Sequence, residues 1–391
     1  MSDIRHILFI CSWYPNREAP ALGNFIQQHA IAASASNIVS VVYARATNAL
    51  KEGETELVET QKGNLTEFVV YYGKVRSGFP IISKLQKRDA YRKNIRFAID
   101  KAIQKNERPD ALHVHVIWPA AVAVLPLLSD LNCPLIISEH WSGYLPEDGN
   151  YKGIVQKNIS KQLADKAALI TVVSQQMEKA MRSHGLGNKF VQLPNSVDTS
   201  VFHPIEKSNE KKKIKLLHVS MLVDREKNVS GLLRAFKNVN DPAIELHIVG
   251  SGNDELELKS LANELNLKGA VIFHGFKAPA QIAELMNASD ALAMFSNFEG
   301  MPVTIIEAQC CGLPVIATKV GAITEMVSDE SGILVDAGNE NALTGAILDL
   351  CRRKDSFDKK KISAIAAQKY SLQHVGSKLN DIYSSILNDA K

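Results

Sequence analysis

Two carboxylates, Glu299 and Glu307, lie eight positions apart in the mostly apolar stretch FEGMPVTIIEAQCCGLPVIA, Phe298 to Ala317. Between them is a Gly300-Met301-Pro302 turn. Pro302 suits the first turn of a helix through VTIIEAQCC, and Gly312 suits its stop. Such a helix leaves the backbone N–H groups between Gly300 and Thr304, Pro302 having none, without intrahelical partners, which fits a phosphate or diphosphate. Carboxylates beside an anion repel it, so their natural partners are hydroxyl groups on either side, a sugar for one and a ribose for the other. Spacing alone equally allows Glu299 to be an ordinary acid near a helix N-terminus and Glu307 a solvated one.

Other residues carry weaker signals. HIVGSGNDELELKSLA sets Gly250 and Gly252 between a strand and a helix, but Glu255 stands where a dinucleotide fingerprint has its third glycine. The pair reads as a close-approach site for a nucleotide, or as a tight turn. His140 follows the apolar run PLIIS, which places it at the carboxyl edge of a strand. His113 and His115 alternate on another strand and share a face; without a third ligand at metal-like spacing they read as packing or cleft-lining residues. Gly23 in PALGNF lets backbone approach a ligand, and Asn195 lies where a first domain would end and could meet an acceptor, although turn chemistry explains both. No Asp-x-Asp pair occurs in the chain.

The elements behind these residues are legible as periodicity. HILFIC, IVSVVYA, ALHVHVI, PLIISEH and ALITVVS form one series of short apolar runs; IKLLHVSM, IELHIVGSG, AVIFHGF, ALAMFSN and LPVIAT form a second. Continuous runs of this kind, each followed by a helical pattern, predict parallel strands covered on both faces. The expected fold class is α/β, with two doubly wound Rossmann-like domains facing across a cleft. VDTSVFHPIEKSNEKKKIK, where the periodicity stops, predicts a linker near residues 199–213. The 391 residues suit two domains.

Composition narrows the class further. With 46% hydrophobic and 22% charged residues, the chain reads as ordinary globular protein. Five cysteines, an odd number without a Cys-x-x-Cys pair, favour a reducing cytosol. The apolar core at the N-terminus is too short for a secretory signal and reads as a first buried strand, Ile7 to Cys11. No run approaches the roughly 18 apolar residues of a membrane span. Net charge is about +5 for residues 1–198 and about −2 for the rest. The densest basic part, KLQKRDAYRKNIRFAIDKAIQKNER, has Ile95, Ala98, Ile99, Ala102 and Ile103 at helical spacing. It reads either as a core helix with a solvated basic face or as a surface for anionic lipid.

The segment FEGMPVTIIEAQCCGLPVIATKVGAITEMV resembles the Glu-x7-Glu region of the nucleotide-sugar glycosyltransferases of retaining family 4, which have the two-domain GT-B fold. The resemblance runs in order over most of residues 7–386. It takes in FICSWYPNREAPALGNFIQQHA, ISEHWSGY, LPNSVDTSVFHP, KNVSGLLRAF, LHIVGSG, FHGF and the terminal GILV. It implies that Glu307 binds the donor ribose and Glu299 the donor sugar, while Gly300, Met301, Pro302 and Val303 hold the diphosphate. It further implies that Lys227 neutralises the leaving diphosphate, that His140 lies beside donor sugar and acceptor, and that Glu299 is a binder, not a nucleophile. Gly23, Gly250, Gly252 and Phe276 join the nucleotide-sugar set; Asn195 and Trp141 join the acceptor set. The family arginine that follows a glycine is absent from VSMLVDREKN, which has Ser220 and Met221 there. Either Arg225 reaches the same phosphate or Lys227 serves alone.

The implied domains are 1–198 with 372–391 for the acceptor, because the family's terminal helix crosses back, and 199–371 for the nucleotide sugar. The implied reaction is metal-independent, retaining transfer of a hexose from a UDP- or GDP-type donor to a glycan or lipid-linked hydroxyl. The setting would be bacterial polysaccharide or lipid-linked glycan synthesis. No cofactor, catalytic metal or nucleic acid is expected. The expected location is cytoplasmic, with the inner membrane face as a peripheral surface for the basic first domain. The rival readings are a catalytically silent nucleotide-sugar-binding partner, a nucleotide-sugar epimerase, and a Rossmann oxidoreductase, the last weakened by the failed glycine fingerprint.

Overall fold

The computed structural model describes residues 4–76, 80–205 and 213–389. The chain divides into two compact units, one of residues 1–195 and 372–391, the other of residues 196–371. The division falls three residues before the expected 198, for a physical reason. Val197 N donates to the Tyr370 carbonyl at 2.9 Å, Val197 bridges Ser371, and Phe202 is buried, so the segment after Asn195 already belongs to the second unit. Of the expected linker, residues 206–212 lie outside the described residues.

The first unit is built on strands β1 (His6–Cys11), β2 (Ile38–Thr47), β3 (Thr55–Lys62), β4 (Leu65–Gly73), β5 (Ala111–His115), β6 (Leu135–Glu139), β7 (Leu169–Val172) and β8 (Phe190–Gln192). Their order in the sheet is β3, β4, β2, β1, β5, β6, β7, β8. All pairings are parallel except that of β3 with β4. The expectation of parallel strands missed this hairpin because β3, TELVETQK, is a mostly exposed edge strand without a continuous apolar run. His113 and His115 do share one face, and the β1 register sets Phe9 and Cys11 beside them.

The second unit holds β9 (Ile214–Val219), β10 (Ile244–Val249), β11 (Val271–Gly275), β12 (Ala291–Met294), β13 (Val315–Thr318) and β14 (Gly332–Val335). Its order is β11, β10, β9, β12, β13, β14, and every pairing is parallel. The order reverses direction between β9 and β12, the switch point at which doubly wound sheets bind ligands beyond their strand ends.

The terminal helix, Leu372–Asp389, packs on the Asn24–Ser34 helix of the first unit. Val375, Leu379, Tyr383 and Ile386 are buried in the same core as Ile26, Ala30 and Ala33. Tyr383 also meets His113 Nδ1 at 2.8 Å, and His113 Nε2 meets Ser138 Oγ at 2.7 Å. His113 is therefore a fully partnered packing residue. The basic segment forms the Pro80–Asn106 helix, with Ile95, Ala98, Ile99 and Ala102 buried, Lys84, Lys87, Lys93 and Lys105 exposed and Lys101 partly so.

Candidate active site

In the second unit, the ends of β9 and β12 bring the predicted residues together. Beyond β12, Ser296 to Pro302 form a loop, and a helix runs from Val303 to Cys310 with Pro302 as its N-cap. Gly312 follows at φ 73°. No side chain caps this helix, so the amides of its first turn have no side-chain acceptor. The loop is tied from three sides: Asn297 N donates to the Glu226 carbonyl at 2.8 Å, Thr318 Oγ1 to the Ser296 carbonyl at 2.7 Å, and Ala322 N to the Gly300 carbonyl at 2.9 Å.

Glu299 is buried in this loop. Its Oε1 accepts from Lys227 Nζ at 2.8 Å and from Ser296 Oγ at 2.8 Å. Lys227 ends the single helical turn Asp224–Lys227, which a second bond, Asn297 Nδ2 to the Arg225 carbonyl at 3.0 Å, fastens to the same loop. An ammonium has three donors, so the Glu299 bond leaves Lys227 with capacity for an anion. The exposed Arg225 guanidinium lies 5.1 Å from the Phe298 ring centroid, a cation–π contact at the edge of this loop.

Glu307 differs from Glu299. It sits just past the first turn of the Val303–Cys310 helix, partly buried, and its carboxylate meets no hydrogen-bond donor among the described residues. Desolvation pushes its pKa up to about 7. A carboxylate held this way gains from hydroxyl donors. Met301 and Pro302 are buried, while Gly300, Val303 and Thr304 are partly accessible.

The glycine pair has a local cause. Gly250 has φ 134°, and a Cβ there would overlap the Ser220 carbonyl oxygen; one at Gly252 would overlap that of Leu222. Leu222 N donates to the Ser251 carbonyl at 3.0 Å, and Asp224 N to Asp254 Oδ2 at 2.6 Å. The two glycines thus let the loop after β10 lie against the loop that carries Arg225 and Lys227. Phe276, just beyond β11, is 57% exposed and makes no ring contact with another described aromatic residue.

In the first unit, His140 is buried just past β6, with Nδ1 3.0 Å from Asn195 Oδ1 and its ring 4.8 Å from that of Phe25. Burial holds its pKa well below the usual imidazole range, so the ring is neutral. Trp141 is partly buried and packs edge-on to Tyr144 at 5.3 Å. Gly23 caps the Asn24–Ser34 helix at φ 66°, and a Cβ there would come within 2.7 Å of the Trp13 carbonyl carbon. Its glycine therefore serves the packing of its own loop.

Sequence reasoning missed Glu139. Fully buried, it accepts from the N–H groups of Ile117 at 3.0 Å, His140 at 2.9 Å and Trp141 at 2.9 Å, and from Tyr144 Oη at 3.2 Å. Burial still raises its pKa. The signal was present in SEH: a carboxylate ending a buried strand needs donors, and here they are the backbone of the histidine loop. Ser296 was missed as well, because a lone serine after a strand carries no pattern.

The profile named Glycosyltransferase Family 4 matches residues 29–201, and that named Glycosyl transferases group 1 matches residues 202–368. The chain belongs to the family 4 glycosyltransferases. N-acetyl-alpha-D-glucosaminyl L-malate synthase of Bacillus anthracis is 23% identical over 305 residues, 74% of this chain and 78% of the relative. The putative teichuronic acid biosynthesis glycosyltransferase TuaC of Bacillus subtilis is 25% identical over 254 residues, 62% of each chain. Sucrose-phosphate synthase from Thermosynechococcus elongatus superposes with a TM-score of 0.80 at 18% identity, over 99% of this chain and 100% of that one. HepE of Anabaena, solved in complex with UDP and glucose, gives 0.73 at 20% identity, over 97% and 100%. The fold of this glycosyltransferase is GT-B. Among its described residues, no helix is long and apolar enough to cross a membrane.

Proposed function

We propose that this glycosyltransferase moves a hexose from a nucleoside-diphosphate sugar to a hydroxyl acceptor with retention, without a divalent metal at the diphosphate. The carrying observation is the pair of unlike carboxylates around one helix N-terminus, Glu299 buried against Lys227 and Ser296 and Glu307 without a donor among the described residues. Glu307 takes the ribose hydroxyls. Backbone groups from Gly300 to Val303, at the N-terminus of the Val303–Cys310 helix, take the diphosphate, with the helix dipole favouring the anion. Glu299 takes hydroxyls of the donor sugar through the oxygen that Lys227 and Ser296 leave unused.

As the glycosidic bond breaks, negative charge grows on the leaving diphosphate, and the remaining N–H groups of Lys227 stabilise it. Arg225, on the same helical turn, adds a second cation. Glu299 is bound on one oxygen by a cation and a hydroxyl, which lowers its nucleophilicity and suits a binder. Retention then follows from attack on the leaving-group face rather than through a covalent intermediate. In the first unit, His140, oriented by Asn195 and Glu139, and Trp141 address the acceptor. HepE, solved in complex with UDP and glucose, favours a uridine donor, and TuaC, named for teichuronic acid biosynthesis, favours a role in polysaccharide synthesis.

A thermal-shift screen of UDP-, GDP-, ADP- and dTDP-sugars tests the reading, because a ligand that binds only the folded state raises the midpoint with concentration. One nucleotide class should stabilise the protein, and Glu307→Ala should abolish the shift. No stabilisation by any of the four would overturn it.

A further inference from the structure

Three histidines of the first unit meet although they come from three separate elements. His29 lies on the inner side of the Asn24–Ser34 helix, His115 ends β5, and His140 follows β6. His29 and His115 are fully buried and His140 is 8% exposed. The His115 and His140 rings stack at 5.9 Å with an interplanar angle of 14°, and His29 lies 5.3 Å from His140 and 5.9 Å from His115.

Their hydrogen bonds point outward. His29 Nε2 meets the Pro194 carbonyl at 3.0 Å, and His140 Nδ1 meets Asn195 Oδ1 at 3.0 Å. A carbonyl oxygen only accepts, so these two nitrogens carry the protons, leaving lone pairs on His29 Nδ1 and His140 Nε2. Both atoms, and both nitrogens of His115, are buried without a hydrogen-bond partner. One nitrogen from each ring lies within 4.8 Å of the others. Leaving a buried polar atom unpaired costs about 1–3 kcal/mol, so four such atoms in one cluster call for a ligand.

We propose that His29, His115 and His140 bind a transition-metal ion of Zn²⁺ type, with His29 Nδ1, His140 Nε2 and one ring nitrogen of His115 as its three protein ligands and an exchangeable fourth position. Three imidazoles suit Zn²⁺ and its analogue Co²⁺ better than Mg²⁺ or Ca²⁺, which take oxygen ligands. Tetrahedral bonds of about 2.0–2.1 Å put ligand nitrogens about 3.3 Å apart, so the rings close by at most about 1.5 Å, within reach of side-chain rotation. Pro194 O and Asn195 Oδ1 serve as the outer partners that orient metal-bound histidines. His140 also belongs to the acceptor set of the proposed transfer, so the ion stands beside the acceptor and apart from the diphosphate set, while metal binding itself does not depend on the transferase reading. His247 and His274, by contrast, bond to each other, Nδ1 to Nε2, at 2.9 Å, and His113, beside His115, has both ring nitrogens partnered.

The test uses full-length, tag-free protein freed of metal by chelation and then titrated with Co²⁺. One equivalent should give the visible bands of four-coordinate cobalt, displaced by Zn²⁺. His29→Gln should weaken binding at least tenfold and His115→Phe should abolish the bands, whereas His274→Phe should leave them intact; circular dichroism checks each fold. Histidine-ring NMR spectra of the wild type need no variant: Zn²⁺ should shift three of the eleven imidazoles. Absence of four-coordinate bands in the wild type, bands retained in folded His115→Phe, or ring shifts at His247 and His274 instead would overturn the proposal.

Discussion

Lys227 Nζ donates to Glu299 Oε1 at 2.8 Å, with only 17% and 7% of the two side chains exposed. A cation assigned to the leaving diphosphate and a carboxylate assigned to the transferred sugar are thus already bound to each other. Each orients the other, so their catalytic contributions are coupled. Glu299→Ala should lower kcat roughly ten- to a hundredfold with little change in KM, equivalent to about 1.5–3 kcal/mol of a charge-assisted hydrogen bond. The Lys227→Ala/Glu299→Ala double variant should lose less than the sum of the single losses. Steady-state kinetics of the four proteins measure this; strictly additive losses would refute the coupling.

Glu307 should set a pH dependence. Its pKa is raised to about 7 from an ordinary 4.5, so the folded state holds a proton that the unfolded chain releases. Ionising it in place opposes folding: the penalty is absent below about pH 4.5, grows as pH rises, and is complete above about 7, at most about 3 kcal/mol. Glu307→Gln should therefore gain stability over wild type as pH rises from 5 to 8. Nucleotide affinity should move the opposite way, since ribose hydroxyls donate best to the carboxylate. Denaturation and nucleotide titrations of both proteins across that range check the pair of trends; parallel curves for the two proteins would sink the assignment.

Chelation should separate a phosphate-bound metal from the protein's own cation. With Lys227 and the helix N-terminus at the diphosphate, transfer should need no magnesium: protein treated with EDTA and given back only Zn²⁺ for the histidine site should be as active as protein given magnesium as well. Loss of activity in EDTA with recovery on adding magnesium would contradict this.

The terminal helix should be part of the first unit's stability. Leu379 is fully buried against the Asn24–Ser34 helix, so Leu379→Ala should destabilise that unit by about 2–5 kcal/mol. Removing residues 372–391 should speed amide exchange in β1, β2 and β5 and leave β9 to β14 nearly unchanged. Hydrogen exchange by mass spectrometry resolves the strands, and faster exchange confined to the second unit would refute the packing role.

Much of this was written in local pattern. Largely apolar runs marked ten of the fourteen strands among the described residues, because a strand covered on both faces is mostly apolar. GMPVTIIEAQCCG showed its helix through Pro302 and Gly312, whose backbone preferences act within a few residues. The charged edge strand β3 escaped, since it needs only one covered side.

Pairings between distant residues were decided by the tertiary structure. The carboxylates were visible as a spacing, but the sequence contained no sign that Lys227 would hold Glu299, since two loops from different strands had to be laced through Asn297. His113 and His115 looked alike, one strand face apart. Tyr383 arrives from the terminal helix to satisfy His113, whereas His29 arrives from the first helix and leaves His115 unpaired. Local sequence determines which residues share a face, because that depends on backbone periodicity. Which polar atom finds a partner depends on side chains hundreds of residues away, and only the packed core sets that.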